Sequence, residues 1–205
     1  MVYLDFKKQF FELGCFSIHQ VYAWQPNFDR NNITRWIKKG YLIRLRQGYY
    51  TFPELIKNAD NLHFLANRIY LPSYLSLYTA LSYYGIIPES VVQITSVTTL
   101  KTYNCENEAG QFSYNSIKKN LYNGFQFKEI NNNKTILFAS PEKALFDLLY
   151  LFSFYNSAKE IEGLRLDEEF LHSKFSYSVF LDFVGLSKSK VLEKRAKLLS
   201  KVYSL

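Results

Sequence analysis

The 205-residue chain contains only two cysteines and three histidines. Cys15 and Cys105 lie far apart, so neither a disulfide framework nor the ligand spacing of a zinc site is indicated. No phosphate-binding glycine loop is present. No apolar stretch is long enough to cross a bilayer, and residues 1–8 lack the basic start and apolar run of a signal peptide. We therefore expect a cytoplasmic protein with no membrane partner, no metal and no cofactor.

Acidic residues are also in the minority, with 18 Asp and Glu against 25 Lys and Arg, which gives a formal net charge of +7. Residues 1–57 hold nine Lys and Arg against four Asp and Glu, a net charge of +5, whereas residues 58–205 hold sixteen against fourteen, a net charge of +2. The excess positive charge is thus concentrated in the first quarter of the chain. Charge placed this way favours an acidic partner, and nucleic acid before a membrane surface.

Two short helices are predicted near the N-terminus. Ser17 and Gln20 have the spacing of a capping box, which opens a helix over residues 18–24. A second helix covers residues 29–39 and carries most of the local basic residues. Two short helices joined by a tight turn, with the second one basic, are typical of a helix-turn-helix.

The second helix has one apolar face. Ile33, Trp36 and Ile37 recur at spacings of three and four, so they share a face that should be buried. Gly40 then ends the helix, as glycine does just past a C-terminus.

A basic hairpin follows this helix. Residues 41–46 alternate in the manner of a strand, Gln47 and Gly48 form a tight turn, and residues 49–52 return as a second strand. A helix, a glycine and a basic hairpin in this order predict the last part of a winged helix.

The polar positions of the helix and hairpin are the candidate DNA-binding residues. We expect the first half of the helix to read base edges in the major groove and its last turn to hold phosphates. The arginines of the hairpin, two apart on a strand, should project from one exposed face and reach the backbone or the minor groove. The alternative is a solvated charged surface. The candidate set is Arg30, Asn31, Thr34, Arg35, Lys38, Lys39, Arg44, Arg46 and Gln47.

The predicted fold is α+β, with an N-terminal winged helix-turn-helix followed by a mixed α/β C-terminal domain with a helical tail. The domains are a DNA-binding domain (1–57), a helical connector (58–70) and a C-terminal domain (71–205). In the C-terminal domain we expect a helix capped by Ser73, a strand over 91–99, a loop over 103–109, a strand over 111–114, a hairpin of 124–130 with 134–139 turning at Asn131–Asn133, a helix capped by Ser140, and a last helix from Ser187 to about Tyr203.

Three blocks of the sequence resemble AbiEi-type antitoxins of bacterial abortive-infection (type IV) toxin–antitoxin systems. The first block, residues 34–50, is similar to the winged-helix block of that family. The second covers residues 72–89 and is followed by Thr95–Thr99. The third, residues 139–147, is similar to the Pro-Glu-Lys-Ala-Leu block of the family. Together they cover about residues 16–150, and the tail after Tyr150 carries no such resemblance.

This resemblance implies two functions and no enzymatic activity. The N-terminal domain would bind double-stranded operator DNA and repress the toxin–antitoxin operon. The C-terminal domain would neutralise a cognate nucleotidyltransferase-like toxin, in this family without forming a stable complex with it. The resemblance assigns no catalytic residues.

The last helix has a basic face opposite an apolar one, and we expect Arg195 to belong to the basic face. Its lysines could be a solvated surface, a second DNA contact or the surface that acts on the toxin. The candidate patch is Lys188, Lys190, Lys194 and Lys197.

Two other functions remain open at this point. One is a winged-helix regulator whose C-terminal domain senses a small ligand, which an aromatic-lined pocket would favour. The other is a nuclease-like enzyme using Glu142 and Lys143, although such sites need further acidic ligands and a different spacing.

Overall fold

The computed structural model describes residues 2–130 and 134–205, and the fold is α+β. The helices in these ranges are α1 (Tyr3–Phe10), α2 (Ile18–Trp24), α3 (Asn31–Lys38), α4 (Ala59–Ile69), α5 (Leu77–Tyr83), α6 (Pro141–Leu151), α7 (Ala158–Glu162), α8 (Glu168–Ser173), α9 (Tyr177–Ser187) and α10 (Lys190–Tyr203), with short 3-10 helices at Pro53–Ile56 and Lys119–Leu121. The strands are β1 (Phe16–Ser17), β2 (Ile43–Arg46), β3 (Tyr49–Thr51), β4 (Ser73–Leu75), β5 (Gln93–Thr98), β6 (Tyr103–Asn107), β7 (Gly110–Ser116), β8 (Phe125–Ile130) and β9 (Lys134–Ala139).

The first 56 residues combine three helices with a small antiparallel sheet of order β1-β3-β2. Their core is aromatic. The Phe6 ring lies within 6 Å of the ring centroids of Phe10, Phe16, Phe28 and Trp36. Packed rings of this kind bury a large apolar area with few side chains, which suits so short a segment.

Local signals set the helix ends here as predicted. The Gln20 backbone N–H donates to Ser17 Oγ (3.3 Å) and the Ser17 backbone N–H donates to Gln20 Oε1 (2.7 Å), which confirms the capping box and the bounds of α2. At the end of α3, Gly40 has φ +70°, and the backbone N–H groups of Gly40 and Tyr41 donate to the carbonyls of Ile37 and Trp36. This pair of hydrogen bonds requires a left-handed backbone conformation at residue 40, which glycine adopts without steric cost.

The second sheet is mixed and has six strands in the order β6-β7-β5-β4-β9-β8. The pairs β4–β5, β6–β7 and β8–β9 are antiparallel, whereas β5–β7 and β4–β9 are parallel. The predicted pairing of 124–130 with 134–139 is confirmed, while its turn at Asn131–Asn133 lies outside the described residues.

Helices cover both faces of this sheet. Tyr114 donates to the Ala66 carbonyl of α4 on one face, and Tyr74, which the strand register places on the other face, donates to Asp147 of α6. Because Phe64, Leu65 and Ile69 are buried in the same apolar cluster as the strands, the predicted connector helix is part of the larger core.

Three sequence expectations about this part were wrong. Ser73 does not cap a helix: it lies in the central strand β4, and α5 begins after Ser76. The segment from Tyr103 to Asn107 is not a loop but the edge strand β6, which is polar because one side of it is exposed. Ser189, rather than Ser187, caps α10.

Arg195 was also misplaced on the basic face of α10. Its side chain is buried and donates to the carbonyls of Leu149 and Ser153 and to Asn156 Oδ1. A buried guanidinium needs several acceptors, and the end of α6 with the loop after it provides them.

Across the ranges that the structure covers, no helix combines the length and the apolar character needed to cross a membrane.

Candidate nucleic-acid interface

A surface groove lies between α3, the β2–β3 hairpin and strand β6. Its volume is about 880 Å³. One wall is formed by α3 and the hairpin, and the other by β6 and the residue after it. We call it the α3–β6 groove. It brings together six of the nine candidate DNA-binding residues, namely Arg30, Thr34, Lys38, Arg44, Arg46 and Gln47.

The polar face of α3 is exposed as the sequence predicts. Ile33 and Trp36 are buried at 2% and 7% exposure. An α-helix turns 100° per residue, so Asn31 and Arg35 project from the opposite side. The six candidate residues of this segment are all exposed, namely Arg30, Asn31, Thr34, Arg35, Lys38 and Lys39.

Arg35 is held loosely on this face. Its Nη2 donates to Asn32 Oδ1 at 2.6 Å and lies 3.7 Å from Asp29 Oδ2. Both Arg35 and Asp29 are more than half exposed. Exposed ion pairs stabilise by only about 0–1 kcal/mol, so the guanidinium can turn outward to a ligand at little cost.

The hairpin arginines differ from one another. Arg44 and Gln47 are exposed, whereas Arg46 is half-buried. The Arg46 guanidinium lies 4.7 Å from the Tyr49 ring centroid and 5.6 Å from that of Tyr70. The expectation that Arg46 would be freely exposed was therefore wrong. Its partners come from the next strand and from the segment after α4, which local alternation cannot reveal.

The larger core, which contains the six-stranded sheet, also holds the β2–β3 hairpin in place. Ile43 and Leu45 of β2 are buried in the larger apolar cluster, although they belong to the smaller sheet. The β2–β3 register shifts between Arg44 and Arg46, and Asn107 Nδ2 donates to the Leu45 carbonyl at this bulge (2.8 Å). The direction of the hairpin is thus set by strand β6.

The sequence did not identify the β6 wall of the groove. Tyr103, Cys105, Glu106, Asn107 and Glu108 line it. Alternating half-buried and exposed residues along β6 show the period of a strand, which the polar composition masked. Burial raises the pKa of the Cys105 thiol, so it stays protonated at neutral pH.

The C-terminal lysines form a separate surface. Lys188, Lys190, Lys194 and Lys197 are all exposed. The last three lie on α10, while Lys188 adopts the left-handed conformation at the end of α9. Within the described residues, the lining of the α3–β6 groove does not include any of them.

Glu142 and Lys143 face the interior of the protein. Glu142 Oε1 accepts from the backbone N–H of Ser176, and Lys143 Nζ lies 2.5 Å from Asp147 Oδ1, with both side chains of that ion pair fully buried. Over residues 2–130 and 134–205, no group of three or more His, Cys, Asp or Glu is arranged to hold a metal ion.

Asp147 is the centre of this buried network. Tyr74 OH and Ser76 Oγ donate to its Oδ2 at 2.8 and 2.7 Å. Burial raises the pKa of Asp147 and lowers that of Lys143, while their mutual attraction and the hydrogen bonds oppose both shifts.

One cavity is relevant to the alternative that the C-terminal domain senses a small ligand in an aromatic-lined pocket. It has a volume of about 510 Å³, and its lining includes Phe154 and Tyr155, which precede α7, and Lys159 and Glu160 of α7. Other aromatic side chains of this part pack against one another, as Tyr74, Tyr122 and Phe125 do.

No protein-family model matches the chain, and no curated protein matches it either.

Proposed function

We propose that residues 1–57 are a winged helix-turn-helix that binds double-stranded DNA, with α3 as the recognition helix and the β2–β3 hairpin as the wing. One observation carries the proposal. The six candidate residues of α3 and its ends are all exposed, and three of them, Arg30, Thr34 and Lys38, line the same groove as the exposed Arg44 and Gln47 of the hairpin. Neighbouring donors on a helix and a hairpin match the way such proteins contact a duplex.

The dimensions of α3 suit the major groove. An α-helix with its side chains is about 10–12 Å across, which is close to the width of about 12 Å of that groove in B-DNA. Asn31 and Arg35 project outward and would read base edges, since asparagine pairs with adenine and arginine with guanine. Lys38, Lys39 and Arg44 would bind phosphates on either side.

The second half of the proposal follows from the resemblance to AbiEi-type antitoxins. We infer that the chain represses its own toxin–antitoxin operon and neutralises a cognate nucleotidyltransferase-like toxin without being an enzyme. Two of the resembling blocks meet in space: Tyr74 and Ser76 of the second block donate to Asp147 of the third. A buried hydrogen-bonded network between separate blocks is a reason for them to occur together.

DNA binding tests the first half. We would measure binding of the protein to its own promoter DNA across a salt series, with scrambled DNA as the control. We expect specific binding that weakens with salt, because phosphate contacts release counterions. The Arg35→Ala, Arg44→Ala double variant should lose about 10- to 100-fold in promoter affinity and show a smaller salt slope. We choose Arg44 and not the half-buried Arg46, because loss of the exposed Arg44 side chain should leave the fold intact.

Two further variants control for charge. Lys118→Ala, Lys119→Ala removes the same charge from exposed positions on the 3-10 helix segment and should leave promoter affinity unchanged. Lys194→Ala, Lys197→Ala tests whether the α10 lysines are a second contact. Wild-type affinity in the Arg35→Ala, Arg44→Ala variant would refute the proposed interface.

A further inference from the structure

The wall of the α3–β6 groove opposite the basic residues is acidic. Glu106 lies near the end of β6, toward the tip of the β6–β7 hairpin, and Glu108 lies in the turn that follows. Both residues are exposed. They line the same groove as Arg30, Lys38 and Arg44. Two acidic residues thus border the surface through which, on the function proposed above, DNA phosphates would be bound.

The two sets of charges do not neutralise each other. In the described ranges, no ion pair of 4 Å or less joins Glu106 or Glu108 to the basic wall. A sphere with the volume of the groove would be about 12 Å across, close to the screening length of about 10 Å at 0.1 M salt. The carboxylates therefore act on a phosphate in the groove at low salt and much less at high salt.

The acidic wall is held rigidly. Strand β6 pairs with β7 along Tyr103 to Asn107. Asn107 is bonded to the Leu45 carbonyl, and the Tyr103 ring stacks on Tyr70 at 5.1 Å. The backbone that carries the two glutamates therefore cannot move away from incoming DNA without breaking these contacts.

We propose that Glu106 and Glu108 form an acidic rim that weakens sequence-independent DNA binding and confines a bound duplex to the outer face of α3. Sequence-independent binding consists almost entirely of phosphate contacts, so negative charge beside the phosphate-binding residues opposes it directly. Asn31 and Arg35, which would make the base contacts, do not line the groove and are affected less. The inference rests on the proposed DNA-binding function. It gives strand β6 of the six-stranded sheet a role in selecting DNA.

The test compares Glu106→Gln, Glu108→Gln with the wild-type protein on a scrambled duplex of about 20 base pairs and on the promoter DNA. Glutamine keeps the shape and removes the charge. We expect affinity for the scrambled duplex to rise about tenfold at 0.05 M salt, with the difference largely lost at 1 M. The matched control is Glu168→Gln, Glu169→Gln, which makes the same charge change on α8 and should leave both affinities near those of the wild type. Equal urea midpoints would show that all three proteins are folded.

The outcomes separate the two proposals. Unchanged affinity for scrambled DNA in Glu106→Gln, Glu108→Gln, or an equal rise in the α8 control, would overturn the rim while leaving promoter binding intact. A wild-type protein with no preference for its promoter would overturn the proposed function. A rise for scrambled DNA in the rim variant alone would support the rim, and no DNA binding by any of the proteins would reject both.

Discussion

Replacing Lys143 with methionine would leave the Asp147 carboxylate buried without its cation. In the native protein Lys143 Nζ lies 2.5 Å from Asp147 Oδ1 and 4.5 Å from the centroid of the Phe146 ring, and neither charged side chain is exposed. Methionine fills most of the lysine volume, so the change tests charge more than packing. The two remaining donors to the carboxylate are Tyr74 and Ser76.

The expected loss is large. Removing one partner of a buried ion pair destabilises a protein by about 3–5 kcal/mol, because the other charge stays buried and uncompensated. A domain of ordinary stability unfolds with about 5–15 kcal/mol, so Lys143→Met would lose a substantial part of it. Adding Asp147→Asn removes the orphaned charge and keeps an oxygen to accept from Tyr74 and Ser76. We expect the double variant to be about 2 kcal/mol more stable than Lys143→Met alone.

The pH dependence gives an independent check. Burial already raises the pKa of Asp147, and Lys143 opposes that shift. Without Lys143 the folded-state pKa rises further above the unfolded value. The folded state then binds the proton more readily, so the stability of Lys143→Met increases as the pH falls through that pKa. The difference in the free energy of unfolding between the variant and the wild type should therefore narrow as the pH falls from neutral toward the unfolded-state pKa of an aspartate, about 3.9.

Urea unfolding followed by far-UV circular dichroism would measure these free energies. Tryptophan fluorescence is less suitable, since Trp24 and Trp36 both lie in the first 56 residues. Lys197→Met, at an exposed position of α10, is the matched control and should change stability by less than about 0.5 kcal/mol. A Lys143→Met variant within 1 kcal/mol of the wild type, or a double variant no more stable than the single, would refute the account of the pair.

Two further predictions concern local features. Arg195→Ala should lower the free energy of unfolding by about 3 kcal/mol, because buried acceptors of Leu149 and Ser153 lose a charged donor, whereas the neighbouring exposed Lys194→Ala should change it by less than about 0.5 kcal/mol; equal urea midpoints for the two would contradict this. Ser17→Ala should cost about 1 kcal/mol through loss of the capping box, with the exposed His19→Ala as the control in the same assay; a Ser17→Ala midpoint matching the control would show that the cap contributes nothing.

The features that were predicted well depend on short stretches of chain. The bounds of α2, the glycine that ends α3, and the Ser140 cap of α6 involve hydrogen bonds between residues three to five apart. The buried and exposed faces of α3 follow from the 3.6-residue period alone. The positions of the candidate DNA-binding residues on α3 were therefore accessible from the sequence.

Features that depend on distant residues were missed. Ser73 has the chemistry of a helix cap, yet its segment is extended because β5 and β9 pair with it on both sides. The polar segment at Tyr103 becomes a strand because β7 supplies its partner groups. Arginine is usually a surface residue, but Arg195 is buried because the carbonyl groups at and just after the end of α6 accept its hydrogen bonds. None of these partners is near in sequence.

The candidate interface shows the same division. Local periodicity and capping place the basic residues of α3 on an exposed face and end the helix at Gly40. Tertiary contacts decide which residues lie opposite them. Asn107 donates a hydrogen bond to the Leu45 carbonyl, and the Arg46 guanidinium packs against the Tyr70 ring. Glu106 and Glu108 line the other wall of the groove. Helix ends and faces depend on bonds within one turn of chain, whereas the walls of a groove depend on which buried surfaces pack together, and that is settled only when both cores form.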